Sequence, residues 1–213
     1  MKKVVMVIPC WQRSAVVEKV VKQLDLFYNA TKNRIDLTVV YVFSAEDPEI
    51  DMLLSIYLSA NHHRDFIFSE NKFLGRKLNE GIDHASKFNY DYIMNFGSDD
   101  LIHPGLIDLY ENAIEREVSV FGIDKVFFWH ENKPPVLFSH YNKPNLVGAG
   151  RMIHKRVIQA VYSRYGGLYS SDINRGMDTF SAHRMKNCGF HQTVIETSDF
   201  PFLVDIKDMC LDF

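Results

Sequence analysis

Cysteine is scarce in this chain. Cys10, Cys188 and Cys210 are widely spaced, odd in number and form no C-x-x-C pair, which points to reduced thiols rather than a disulfide frame or a structural zinc site. Long apolar runs are missing too, so no segment approaches the ~20 residues of a membrane-spanning helix. The first strand pattern begins at the third residue, leaving no space for a signal peptide ahead of it, and a soluble, cytoplasmic protein is expected. There is no basic excess: 24 Lys and Arg stand against 27 Asp and Glu, a net charge of −3. That balance argues against a dedicated nucleic-acid packaging role. Local basic groups remain, at Lys72, Arg76 and Lys77 and at Lys143, Arg151, Lys155 and Arg156, and these read as solvated helix faces. Internal repeats, low-complexity tracts and a dividing linker are all absent, so residues 1–213 are expected to form one domain. No feature assigns an oligomeric state.

What the chain does contain is an ordinary globular composition, 46% hydrophobic and 24% charged over 213 residues, enough for one substantial core. Strand and helix patterns alternate through the first half. Val4–Ile8 reads as a buried strand ending in a Pro9-Cys-Trp-Gln-Arg-Ser14 turn, followed by a helix with Val17, Val20, Val21 and Leu24 at core spacing and Ser14 as N-cap. Leu37–Phe43 is a second strand. Asp47-Pro48 opens a helix that turns Met52, Leu53, Ile56 and Tyr57 inward. A short strand at Asp65–Phe68 leads to a helix from Gly75 to Phe88, and the strand at Asp91–Phe96 to a helix lined by Leu106, Leu109, Tyr110 and Ala113. This order predicts an α/β fold whose sheet is mostly parallel, with helices on both faces. The second half changes character. Lys125–His130 and Pro135–Phe138 read as a small antiparallel addition. Val147–Ile153 reads as a Gly-punctuated strand before a helix from Lys155 to Tyr165. Tyr169 to Gly176 reads as a polar, mobile loop, and a last helix spans Asp178 to Asn187 before Gly189.

Chemistry is most concentrated at Asp91-Tyr-Ile-Met-Asn-Phe-Gly-Ser-Asp99-Asp100, an apolar strand that runs into two adjacent carboxylates. Paired acids at the end of a buried strand are costly without a cation, and the carboxyl ends of strands are where open α/β sheets bind ligands. A divalent metal carrying a phosphate suits the place. The alternative is a solvated turn in which Asp100 caps the helix starting near His103-Pro104.

Five segments in order resemble the A-fold (GT-A) nucleotide-sugar glycosyltransferases, in particular the large family 2 of inverting enzymes. Val4 to Arg13 is similar to that family's opening strand and its Pro-Thr-Tyr-Asn-Arg turn. Asn71 to Ile82 is similar to its Asn-x-Gly segment and helix, and Gly97-Ser-Asp99-Asp100 stands where the family has Asp-Ala-Asp-Asp. Val147-Gly-Ala-Gly-Arg-Met-Ile153 resembles the acceptor-side strand, and Gly176-Met-Asp178 the motif of the catalytic base. The resemblance implies a single Rossmann-like domain, with residues 1–100 binding the nucleotide-sugar and residues 101–213 the acceptor. It implies Mn²⁺ or Mg²⁺ as cofactor and a UDP-sugar as donor.

Asp100 would then be the direct metal ligand, with Asp99 nearer the ribose or the metal. Gly97 replaces the family's first acid, leaving one carboxylate fewer than usual. His183 or His191 would complete the metal site, or each is simply exposed or in the core. In the turn that holds Pro9 and Arg13, Trp11 would stack on the nucleobase, or pack in the core. Ser44 and Asp47 stand where uracil and ribose are read, although Asp47 equally suits a helix cap. Arg76 and Lys77 would contact the diphosphate or be solvated. Asn79 and Gly81 read as structural, through a side-chain bond to a neighbouring loop and close helix–sheet packing. Asp178 would be the general base, or an N-cap, with Asp172 in reserve. The tail Val204-Asp-Ile-Lys207-Asp208 would fold back with Lys207 near the phosphates. The acceptor implied is a saccharide or, from the likeness to short phage-type members, a hydroxylated modified base in DNA, which would place the protein in a bacterial or phage-infected cell. Two rivals stand beside this reading. A nucleotidyltransferase opens with a Gly-rich basic loop that Pro9-Cys-Trp-Gln-Arg13 does not resemble. A non-catalytic sugar-nucleotide binding protein would explain Gly97.

Overall fold

Val4 to Ile8 is apolar at every position, a pattern a strand adopts when both of its faces are covered. In the computed structural model, which describes residues 1–130, 132–139 and 146–207, this run forms β1 (Lys2–Pro9). The first half continues with α1 (Ser14–Thr31), β2 (Ile35–Phe43), α2 (Ile50–Ser59), β3 (His63–Phe68), α3 (Leu74–Ala85), a 3-10 turn at Ser86–Phe88, and β4 (Tyr92–Asn95). The second half comprises β5 (Asp100–Ile102), α4 (Leu106–Glu115), β6 (Val120–Ile123), β7 (Lys125–His130), β8 (Lys133–Ser139) and β9 (Met152–His154). It closes with α5 (Lys155–Tyr165), α6 (Met177–Asn187), β10 (Thr193–Ile195) and β11 (Leu203–Ile206). Lys143, Asp208 and Cys210 lie outside the described residues.

Seven strands form the main sheet in the order β10-β6-β9-β4-β1-β2-β3. Its pairs are parallel except at β9, which runs against both β4 and β6. A second sheet has the order β5-β11-β7-β8. Alternate residues of β1 enter different cores. Val4, Met6 and Ile8 pack with Val17, Val20 and Leu24 of α1 and with Leu106 and Tyr110 of α4. Val5 and Val7 pack with Ile82 of α3 and with Val157 and Val161 of α5. The expected helices on both faces are therefore present. Gly81 lets α3 approach the sheet closely, since a Cβ there would lie 2.5 Å from Val7 Cγ1 and 2.7 Å from Val42 Cγ2. No helix among the described residues is long and apolar enough to cross a membrane.

Several local expectations need correction. Ser14 is the first residue of α1 and not its cap; Arg13 holds the cap position in a left-handed conformation, φ 59°, with no side-chain cap bond. The helix expected at Asp47-Pro48 begins at Ile50, leaving Pro48 in the preceding turn and Met52 half exposed, with Leu53 its one buried residue. The strand expected over Val147–Ile153 contracts to β9, because the chain turns at Gly150 with φ +70°. The loop after α5 is anchored: Tyr169 is buried, and the Asn79 side chain both donates to the Tyr169 carbonyl (2.9 Å) and accepts its N–H (3.0 Å).

Candidate active site

The strand β4 carries the chain into the acids, and β5 begins at Asp100 itself. Asp100 is buried, and one carboxylate oxygen accepts the Gly97 N–H at 2.6 Å. It is therefore not the cap of α4. The partner of β5 is β11, which runs antiparallel with Asp205 directly opposite Asp100. Asp99, Asp100 and Asp205 each bring a carboxylate oxygen within 4.8 Å of the others, the one such group among the described residues. Burial first, and then Asp99 and Asp205, push the Asp100 carboxyl well above its ordinary range. Burial and Asp99 likewise raise Asp205. A side chain at Gly97 would be crowded, because its Cβ would lie 2.6 Å from an Asp99 oxygen and 2.8 Å from an Asp100 oxygen. β11 thus brings a third carboxylate to the two that follow Gly97.

Two cations already reach this group. Arg13 donates to Asp99 Oδ2 (3.1 Å) and to the Ile206 carbonyl (3.0 Å), tying the turn after β1 to the end of β11. Lys207 pairs with Asp205 at 2.5 Å. Lys207 and the end of β11 therefore lie beside these acids.

Beyond the acids, the turn after β1 forms one wall of a 290 Å³ pocket that includes Pro9, Trp11, Phe73, Lys77 and Ser98. Trp11 is partly exposed and stands outside the core. Lys77, expected at the phosphates or in solvent, is instead 2% exposed. Its ammonium donates to the Cys10 carbonyl (2.6 Å) and Ser44 Oγ (2.8 Å), and lies 6.0 Å from the Trp11 ring centre. Burial lowers its pKa. Ser44 is fully buried in this contact. Asp47 is buried and does not cap α2 as its terminal residue. It accepts the Gln12 N–H (2.6 Å) and the Glu49 N–H (2.9 Å), which locks the loop after β2 onto the turn after β1. Arg76 points away to an exposed pair with Glu70 at 3.3 Å, so it is not gathered with the others.

The larger cleft measures 860 Å³ and contains all three acids, Lys207 and Asp178 in its lining. Gly176 takes the cap position of α6 with φ 72°, so Asp178 sits within the first turn and is not the N-cap. Its Oδ1 accepts from Arg151 Nη2 at 3.0 Å, and Arg151 also reaches Ser181 Oγ at 2.9 Å. Gly148 makes room for this carboxylate, because a Cβ there would lie 2.0 Å from Asp178 Oδ2. His183 and His191 line the same cleft but lie outside the three-carboxylate group. Asp172 accepts a bond from Ser170 and does not line the cleft.

No family model matches this sequence, and no curated protein does. Solved structures do match. Residues 1–349 of S. aureus TarS superpose with a TM-score of 0.64 at 14% identity, over 97% of this chain and 60% of that one. TarS is also known in complex with UDP. The mannosyltransferase PcManGT from Pyrobaculum calidifontis, in complex with GDP-Man and Mn²⁺, matches with a TM-score of 0.64 at 13% identity, over 97% of this chain and 56% of that one. The fold is GT-A. It also extends to the 4-diphosphocytidyl-2C-methyl-D-erythritol synthase of Anaerococcus prevotii, with a TM-score of 0.59 at 12% identity, over 93% of this chain and 90% of that one.

Within this GT-A fold, Asp205 and Arg151 are among the cleft residues that sequence reasoning missed. Asp205 lies in a four-residue strand of mixed polarity, and only strand pairing shows that it faces Asp100. Arg151 was grouped with solvated cations, yet it is 1% exposed. One signal was present: a lone Arg inside Gly148-Ala-Gly-Arg-Met-Ile, an otherwise apolar and small run, needs an acid nearby.

Proposed function

We propose that this chain is a metal-dependent inverting glycosyltransferase that moves a sugar from a nucleotide-diphosphate donor, a UDP-sugar in the first instance, to an acceptor hydroxyl. One observation carries the reading: a three-carboxylate group and a separate, Arg-held carboxylate line the same cleft. The fold neighbours that hold UDP, or GDP-Man with Mn²⁺, support it.

The acids fit a divalent cation on their own evidence. Asp205 Oδ1 is buried without a hydrogen-bond partner, and oxygen-only ligands suit Mg²⁺ or Mn²⁺. Asp99, Asp100 and Asp205 would hold it. Bound there, the metal would neutralise the diphosphate and act as a Lewis acid on the leaving group.

The chain's own residues supply the rest. Arg13 orients Asp99, and Lys207 stands ready to leave Asp205 for a phosphate oxygen. Trp11 offers a ring face to the base, while Lys77, Ser44 and Asp47 hold the surrounding turns in place. Asp178 takes the acceptor hydroxyl proton on Oδ2, its other oxygen being held by Arg151. The acceptor oxygen bonds to the anomeric carbon as the carbon–diphosphate bond breaks on the opposite face, which inverts that centre. A nucleotidyltransferase reading is less well supported, because the turn after β1 is not Gly-rich, its one basic residue, Arg13, is bonded to Asp99, and Lys77 is buried in packing. A non-catalytic binding protein would not need Asp178 seated on Arg151.

Transfer assays on two variants test the assignment. Asp100→Ala should abolish turnover. Asp178→Asn should lower it by at least about 100-fold while donor binding survives, the usual range for a lost general base. Normal turnover by both variants would refute the mechanism.

A further inference from the structure

One wall of the cleft carries a lysine and two histidines that are not used by the chemistry above. Thr179, His183 and Lys186 lie at i, i+4 and i+7 of α6, a spacing that lines up one helix face, and all three line the cleft with Asp178. His191 joins them from the segment before β10. His183, Lys186 and His191 are exposed, and none has an acidic partner among the described residues. Beside them Gln192 Oε1 is buried with no hydrogen-bond partner, on the same cleft lining. Phe128 and Phe138 line the same cleft, with ring centres 5.6 Å apart.

Three of the four carboxylates on the floor already have a cationic partner, and Asp100 is left for the metal. Arg13 faces Asp99, Lys207 faces Asp205 and Arg151 faces Asp178. A metal and a diphosphate would largely compensate each other there. The α6 wall is therefore left with one ammonium and two imidazole N–H donors, which a neutral acceptor would not fully engage.

Resting on the glycosyltransferase reading, we propose that the acceptor is a saccharide bearing an anionic substituent, a phosphate or a carboxylate, next to its accepting hydroxyl. The substituent pairs with His183, Lys186 and His191. A hydroxyl of the ring donates to Gln192 Oε1, and the apolar face of the sugar rests on Phe128 and Phe138. One ammonium and two imidazole N–H donors in an 860 Å³ cleft match one anionic group, whereas a duplex needs a longer basic track.

Histidine ring signals of His183 and His191 report the site directly, read by NMR on the full chain with UDP and Mg²⁺. The probes are glucose-6-phosphate, glucuronate, glucose, inorganic phosphate and a short duplex DNA. Saturable shifts are expected with glucose-6-phosphate or glucuronate and not with glucose, and which of the two binds tighter identifies the anion. Lys186→Glu should weaken that probe about tenfold, the size of one charge-assisted contact, whereas Lys32→Glu on the far end of α1 should leave the affinity as it was. No shift with either anionic sugar overturns the proposal. Equal shifts with inorganic phosphate mean an adventitious ion only, and equal or better binding of glucose or of DNA overturns it as well. Whether UDP and Mg²⁺ raise Tm is measured separately, so a failed donor site and a failed acceptor wall are told apart.

Discussion

Carboxylates as close as Asp99, Asp100 and Asp205 repel one another, and Arg13 and Lys207 offset only part of that repulsion. A carboxyl whose pKa is raised by folding binds its proton more tightly in the folded chain than in the unfolded one. Between the unfolded value near 3.8 and the raised folded value, metal-free stability therefore falls as pH increases. A cation must displace those protons, so its affinity should rise with pH over the same window. Asp205→Asn makes the point in one residue. Removing a partly buried charge from this crowded group should raise the Tm of the metal-free protein at neutral pH by a few degrees, equivalent to about 1 kcal/mol. The same change should remove the Mn²⁺-induced rise in Tm. A variant that is no more stable without metal, and still responds fully to Mn²⁺, would exclude Asp205 from the site. The acids at positions 99 and 100 were legible in the sequence because a buried strand ran straight into them. Asp205 was not, since nothing local marks an Asp in Leu203-Val-Asp-Ile206 as facing another acid.

At the scale of the element, the start of α1 shows how packing overrides local signals. Gln12 and Arg13 both adopt left-handed conformations, φ 52° and 59°, which cost non-glycine residues of order 1 kcal/mol each. Asp47 holds Gln12 through its N–H, and the Glu49 carboxylate accepts the Ser14 N–H at 2.7 Å. Glu49 thus serves α1 as a cap supplied from another loop, and the resulting turn aims Arg13 at Asp99. Bonds from the Ser14 hydroxyl and N–H hold the Glu49 pKa below its ordinary 4.5. Its contribution is then fully present above that value and lost as pH falls through the lower folded pKa. Urea unfolding of Glu49→Gln should show about 1 kcal/mol less stability at neutral pH, with the deficit vanishing in acid. An equal deficit at both pH values would mean that the charge plays no part. Ser14 looked like the cap because the sequence cannot show a carboxylate arriving from the next loop. Elements with a clear apolar pattern, such as β1 and the amphipathic α5, were legible for the opposite reason, since their periodicity is decided by burial alone. The strands β5, β10 and β11 have three or four residues each and little such pattern.

Across the whole molecule, the mostly parallel sheet and its two helical layers followed from the alternation of patterns. The cleft did not, because it depends on the second sheet, where β11 pairs with both β5 and β7. That pairing brings Asp205 and Lys207 to the acids after β4. The order of five weak motifs nevertheless pointed to the GT-A fold, because their spacing reflects the same sheet order that the structure shows. Arg76 and Lys77 reveal the limit of that approach: a motif places a helix start but not the direction of each side chain. A thermal-shift titration of the full chain with UDP-sugars, with and without Mn²⁺, and repeated on Asp100→Ala, probes the metal-held donor site most directly. One donor should stabilise the native protein only when Mn²⁺ is present, by about 2.7 kcal/mol at a hundredfold excess over its Kd, and Asp100→Ala should lose the effect. Stabilisation that is the same without metal or in Asp100→Ala, or none with any nucleotide-sugar, would contradict a metal-dependent glycosyltransferase.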